Sequence, residues 1–175
     1  SSLATNMLEL SRLESDGLPT EPTTTEQLVS ELMGGVDRAR MLALAKDVDV
    51  GFAVNVTGED ATFAIGHGSF GRVVDNLLSN AIAAVHDEGS VSVSLSTQSG
   101  GLTLEIRDDG PGMPESFIPH AFDRFARPDD SRTSSTGGSG LGLALVGAIV
   151  DSAGGSVSLR NGGPGLVITV VIPQM

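Results

Sequence analysis

Asp108 closes an apolar run and is followed by Gly110 and Gly112, a pattern with a specific use. A carboxylate at a strand end can accept a hydrogen bond from the exocyclic amine of adenine, and the glycines let a flat ring approach the main chain. Asn76 and Asn80 lie one helical turn apart, so their amides share a face. Side-chain carbonyl oxygens suit magnesium, whose remaining ligands are waters and nucleotide phosphates. Gly137, Gly138, Gly140 and Gly142 lead into Leu143-Ala144-Leu145-Val146, and amides at a helix start attract phosphate. Phe122, Arg124, Phe125, Arg127 and Arg132 stand between these groups and bring cations to an acidic chain. Together they compose a site for ATP and Mg2+.

Each piece alone has a plainer explanation. Asp108 to Gly112 is also an ordinary Asp-Gly turn, the two asparagines also cap turns or face water, and a glycine run also makes a linker. Asparagine is a poor residue for a helix interior, however, so two in one helix need a reason. The glycine run is not a dinucleotide fingerprint, because the residues before it are polar rather than strand-like. His67, His86 and His120 fit no nucleophile or metal-ligand arrangement and are expected to cap or face solvent.

Composition narrows the classes. The 175 residues suit one domain with a core of Val, Leu, Ile and Ala, since Phe occurs 6 times and Trp and Tyr are absent. No cysteine is present, which removes disulfides and thiolate metal sites. A formal net charge of −12 without a basic stripe argues against a nucleic-acid partner. No apolar run is long enough to span a bilayer, and the first residues are not a signal peptide.

The elements that must position these residues follow from periodicity. Leu3 to Leu13 has helical spacing and is expected to be the tail of a longer helix, with a linker to about residue 24. Thr25 is expected to cap a helix to about Ala45, bent at Gly34-Gly35. Strands are expected at Val48 to Val56 and Ala61 to Ile65, then a helix from Ser69 to about Val85. Two strands (Ser90 to Thr97, Leu102 to Arg107), a helix from Gly140 to Ala153 and two final strands (Ser156 to Arg160, Leu166 to Ile172) complete the order. The expected fold class is α/β, a two-layer sandwich of a mixed sheet with helices on one face. Pro128 to Ser139, without an apolar residue, is expected to be a lid.

At this point the chain resembles the catalytic and ATP-binding domain of sensor histidine kinases, in the Bergerat-fold superfamily shared with gyrase, MutL and a heat-shock chaperone. Asn76 to Ala81 matches the N box, Asp108 to Gly112 the first glycine box, Phe122 to Phe125 the F box, and Gly138 to Gly142 the second glycine box. The resemblance implies that Asp108 binds the adenine amine and Asn80 the magnesium, with Asn76 supporting metal or phosphates. It implies nucleotide contacts from Gly110, Gly112, Gly138, Gly140, Leu141 and Gly142, with Phe122 and Phe125 anchoring the lid. Arg127 or Arg132 would meet the terminal phosphate. Leu8 to Glu14 resembles the end of the second dimerisation helix, which gives residues 1–16 as its remnant, 17–24 as linker and 25–175 as catalytic domain.

The implied activity is transfer of the ATP γ-phosphoryl group to a histidine on a separate dimerisation domain, and the implied partners are that domain and a response regulator. The fragment would be monomeric, in a dimeric, membrane-anchored parent whose catalytic domain is cytoplasmic. Gyrase-type ATPases and anti-sigma-factor serine kinases are the alternatives; both carry an acid where Asn76 stands, and an amide has no useful basicity. The chain departs from the family at Ala83 and Ala84, where a basic and an aromatic residue are usual, and at Leu166 and Val167, where a Ser or Thr is usual. Weaker nucleotide affinity is the expected consequence.

Overall fold

The computed structural model describes Ala4, Met7, Leu8 and residues 10–12, 22–57, 61–98, 100–124 and 142–175. A five-stranded sheet runs β2-β4-β5-β7-β6, formed by β2 (Asp49–Asn55), β4 (Ser90–Gln98), β5 (Gly101–Asp108), β6 (Ser156–Asn161) and β7 (Leu166–Pro173). Only the β2–β4 pairing is parallel, so the sheet is mixed, as expected. Its helices are α1 (Thr25–Ala43), α2 (His67–Ala84) and α3 (Gly142–Ser152). α1 packs on β2, α2 on α1, α3 and β5, and α3 on β6 and β7.

Strand parity decides which side of the sheet meets the helices. In β5, Leu102, Leu104 and Ile106 are buried while Thr103 and Glu105 are half-buried and Arg107 is exposed. Their core-side neighbours across the strands are Val93 and Leu95 of β4 and Ile168, Val170 and Ile172 of β7. The opposite face carries Ser92, Ser94, Ser96, Thr169 and Ser158, a half-solvated surface of the kind that yields clean alternation. Asp108 continues the even-numbered buried row, so the period of two aims a carboxylate into the helix layer.

Several expectations are corrected. Thr24, not Thr25, is the helix cap: its hydroxyl accepts from the Gln27 N–H and the Gln27 side chain accepts from the Thr24 N–H. Thr23 and Thr24, expected in a linker, form a two-residue strand β1 antiparallel to β3 (Thr62–Phe63). α1 runs unbroken through Gly34 and Gly35. The reason is packing: a Cβ on Gly35 would stand 2.5 Å from Val74 Cγ1, so the glycine lets α2 lie close rather than bending α1. His120 ends a short 3-10 helix (Ile118–His120). The expected lid, Pro128 to Ser139, lies outside the described residues. Among those described, Ala4, Met7, Leu8 and residues 10–12 are helical, with Leu10 buried in the core.

Candidate nucleotide site

Asp108 is 5% exposed. Its Oδ1 accepts from the N–H of Gly110 at 2.9 Å and of Leu166 at 3.3 Å, while Oδ2 has no donor among the described residues. Burial pushes its pKa above the ordinary 3.8, and the neighbouring Asp109 charge pushes the same way; the two amides oppose them. The result is a carboxylate held by one oxygen and offering the other. Asp109 plays a different part, since its carboxylate accepts from the Ser90 N–H at 3.0 Å and from the Ser90 hydroxyl at 3.2 Å, fixing the start of β4.

The loop after Asp108 is clamped from two sides. Gly110 lies against the end of α2, where a Cβ would stand 2.8 Å from the Ala84 carbonyl oxygen. Gly112 has φ +75, in the left-handed region, and a Cβ there would collide with Asn161 Oδ1. Gly165, with φ +80, leaves no room for a side chain against the Asp108 carbonyl. These contacts hold the main chain of the loop against the end of α2 and against the turn after β6.

Asn76 and Asn80 are both half-buried on α2, with Leu77, Leu78, Ala81 and Ile82 buried behind them. The Asn76 amide nitrogen donates to the Arg72 carbonyl at 2.9 Å, which turns Oδ1 outward. Gly142, the first residue of α3, faces both: its Cβ would stand 3.1 Å from Asn76 Oδ1 and 3.9 Å from Asn80 Nδ2. The asparagine pair and the start of α3 therefore meet. Phe122 lies over α3, its ring 3.7 Å from where a Gly147 Cβ would stand. Phe125, Arg127, Arg132, Gly138, Gly140 and Leu141 fall outside the described residues.

The histidines behave as expected of surface groups. His67 Nδ1 lies 3.1 Å from Glu31 Oε1, and His120 Nδ1 lies 3.2 Å from Asp123 Oδ2. A groove of about 440 Å³ between α1 and α2 touches the site only through Asn76 and draws no lining residue from β5 or α3.

Three contributors were not read from the sequence. Asn161 brackets the Met113 backbone, Gly165 packs on Asp108, and Lys46 holds the end of α2 through the carbonyls of Ile82 (2.9 Å), Ala83 (3.4 Å) and Val85 (2.6 Å). The glycine-rich turn between the last two strands was the one available signal for the first two. Leu166, expected to depart from the family pattern in its side chain, contacts Asp108 through its main-chain N–H.

The Asp108 carboxylate, the loop after it and the asparagine pair facing the start of α3 all lie along α2, and the chain also matches the model of a known family. The model described as histidine kinase-, DNA gyrase B-, and HSP90-like ATPase matches residues 67–175, more than half of the chain. The chain belongs to this ATPase family. Within the family it is similar to sensor histidine kinases. Sensor histidine kinase component HK1 of Mycobacterium tuberculosis is 40% identical over 106 residues, covering 59% of this chain and 61% of the relative. Sensor histidine kinase WalK of Bacillus subtilis is 30% identical over 174 residues, 98% of this chain and 28% of the relative. The chain thus spans less than two thirds of these curated relatives.

The solved structure of the mycobacterial sensor histidine kinase MprB is 30% identical with a TM-score of 0.73, covering 88% of this chain and 98% of that one. Full-length ShkA, solved in complex with AMPPNP, is 22% identical; at a TM-score of 0.82 over 99% of this chain it shows the shared fold. This ATPase-family chain is accordingly a histidine kinase catalytic, ATP-binding domain with an α/β sandwich fold. No helix among the described residues is long and apolar enough to cross a membrane.

Proposed function

We propose that this domain binds Mg-ATP along α2 and donates its γ-phosphoryl group to a histidine on a separate dimerisation domain. One observation carries the reading. The loop after Asp108 touches α2 at Ala84, and the start of α3 touches it at Asn76. Eight residues at about 1.5 Å each put those contacts roughly 12 Å apart, on the order of the length of an extended nucleoside triphosphate. The purine belongs at the Asp108 end and the phosphates at the asparagine end.

At the purine end, Asp108 Oδ2 accepts from the exocyclic amine, and Gly110 and Gly112 allow the ring to approach. Guanine would turn a carbonyl toward the carboxylate and is disfavoured. At the other end, amides at the start of α3 face the phosphates, as do those of Gly138, Gly140 and Leu141 by sequence. Asn80 is the metal ligand and Asn76 its neighbour; neutral amide oxygens beside phosphates are a donor set that fits magnesium. Magnesium, when bound, neutralises charge on the phosphate oxygens. Arg127 and Arg132 are assigned by sequence alone to the terminal phosphate.

In the transfer, the bond between the γ-phosphorus and the bridging oxygen of ADP breaks and a phosphorus–nitrogen bond forms. The unprotonated imidazole nitrogen forms that bond, and the proton on the ring's other nitrogen then passes to solvent. Neutral imidazole is already nucleophilic, so the domain supplies position and charge stabilisation rather than a base. This agrees with Asn76, whose amide cannot activate water as a gyrase-type ATPase requires. Residues 1–16 would end a dimerisation helix, and the partners would be that helical domain and a response regulator. The parent would be a membrane-anchored dimer holding this domain in the cytoplasm.

The test mixes the chain with Mg-ATP and a separately made dimerisation fragment. Acid-labile, base-stable phosphate is expected on that fragment and not on this chain. Phosphohistidine on this chain alone, or none on a folded acceptor, would overturn the proposal.

A further inference from the structure

The Asn161 side chain closes a ring with the backbone of Met113, a residue 48 positions away. Its Oδ1 accepts from the Met113 N–H at 2.8 Å, and its Nδ2 donates to the Met113 carbonyl at 2.8 Å. Two complementary bonds of this kind are what a neighbouring strand would offer, so one side chain substitutes for a strand at the end of β6. Nδ2 also donates to Glu115 Oε1 at 2.9 Å. Met113 itself lies beyond the end of β5, outside the strand ladder, and is half-buried against the core.

From this geometry we infer that Asn161 is a positioning residue for purine recognition, setting the loop from Gly110 to Met113 against Asp108. The inference rests on the nucleotide reading above. Its physical content is that the turn between β6 and β7 templates the turn after β5. Three contacts lie side by side: the Leu166 N–H on Asp108 Oδ1, Gly165 on the Asp108 carbonyl, and Asn161 on Met113. Gly112 sits so close to Asn161 Oδ1 that a side chain there would displace it. The carboxamide suits this role because it offers a donor and an acceptor in one plane. An aspartate would keep the acceptor but turn a second oxygen toward the Met113 carbonyl and Glu115.

The test compares wild type, N161A and N161D in this chain by calorimetry and competition, with ATP, adenosine, GTP and inorganic tripolyphosphate as probes. Melting is followed to establish that each variant is folded. A base-side role predicts that N161A weakens ATP and adenosine by the same factor, roughly tenfold. Preference for ATP over GTP then shrinks, and tripolyphosphate binding stays at the wild-type level. N161D should lose at least as much as N161A despite its similar size, and it decides the matter if N161A does not fold. Unchanged ATP affinity in folded N161A or N161D would overturn the inference, as would a tripolyphosphate loss equal to that of ATP. D108N serves as the control on the underlying reading. If D108N leaves ATP affinity intact, the purine assignment itself fails; if only the Asn161 variants do, Asn161 alone is misassigned.

Discussion

A buried carboxylate without a cation beside it is unfavourable, and Asp108, which has none among the described residues, is held by two amides on one oxygen. Its folded pKa lies above the ordinary value, so the nucleotide-free fold retains the proton to higher pH than the unfolded chain does. The stability this proton contributes is complete below the ordinary carboxylate pKa and is lost as pH rises through the raised one. At neutral pH the ionised group is therefore a cost, which a purine amine donating to Oδ2, as proposed, would offset. D108N keeps the acceptor for Gly110 and Leu166 but removes the charge. Its nucleotide-free form should melt at or above the wild-type temperature at neutral pH. ATP affinity should fall about 10- to 100-fold, the loss of one charge-assisted hydrogen bond. In wild type, calorimetry should find ATP binding weakening as pH falls from neutral through the raised Asp108 pKa, a dependence that D108N lacks.

Among the elements, α2 matters most, because it carries the asparagines on one side and abuts the loop after Asp108 at its end. That end is held by Lys46, whose ammonium reaches three carbonyls where the helix dipole is negative. K46M keeps the aliphatic stem and deletes the donors. It should lower unfolding stability in urea by about 1–2 kcal/mol and weaken ATP binding, because Ala84 no longer stays fixed against Gly110. K46R should restore part of both. A loss of stability with unchanged affinity would show that the cap serves folding alone. The helices were well announced by their apolar spacing, and Phe70, Val73, Leu77 and Leu78 are buried as that spacing requires. Cap and bend were not, because Thr24 and Thr25 are chemically alike in sequence, and Gly35 answers to Val74 on another helix.

At the scale of the molecule, folding and ligand binding are one equilibrium: whatever binds only the native state stabilises it. Mg-ATP at a hundred times its Kd should add about 2.7 kcal/mol, which for a chain of this size raises Tm by roughly 5–11 °C. Chelating the metal should shrink that shift, and an equal shift without metal would refute the Asn80 assignment. The candidate site is assembled from β5, the middle and the C-terminal end of α2, the start of α3 and the turn after β6, so it exists only in the folded sheet-and-helix sandwich. Of the candidate site, Asp108, Asn76, Asn80 and Gly142 stood out in the sequence because each is a local signal: a carboxylate after an apolar run, amides one turn apart, glycines before a helix.

The order of the main helices and strands is a property of neighbouring residues, and apolar periodicity carried it apart from the two-residue β1. Which backbone lies opposite a given side chain is a property of the packed molecule. Asn161 meets Met113 across 48 positions, and the Leu166 amide meets Asp108 across 58. No local pattern encodes those distances, since they arise only when β6 and β7 close the sheet beside β5. The strand register brings those turns together, and hydrogen-bond geometry then selects the atoms that touch.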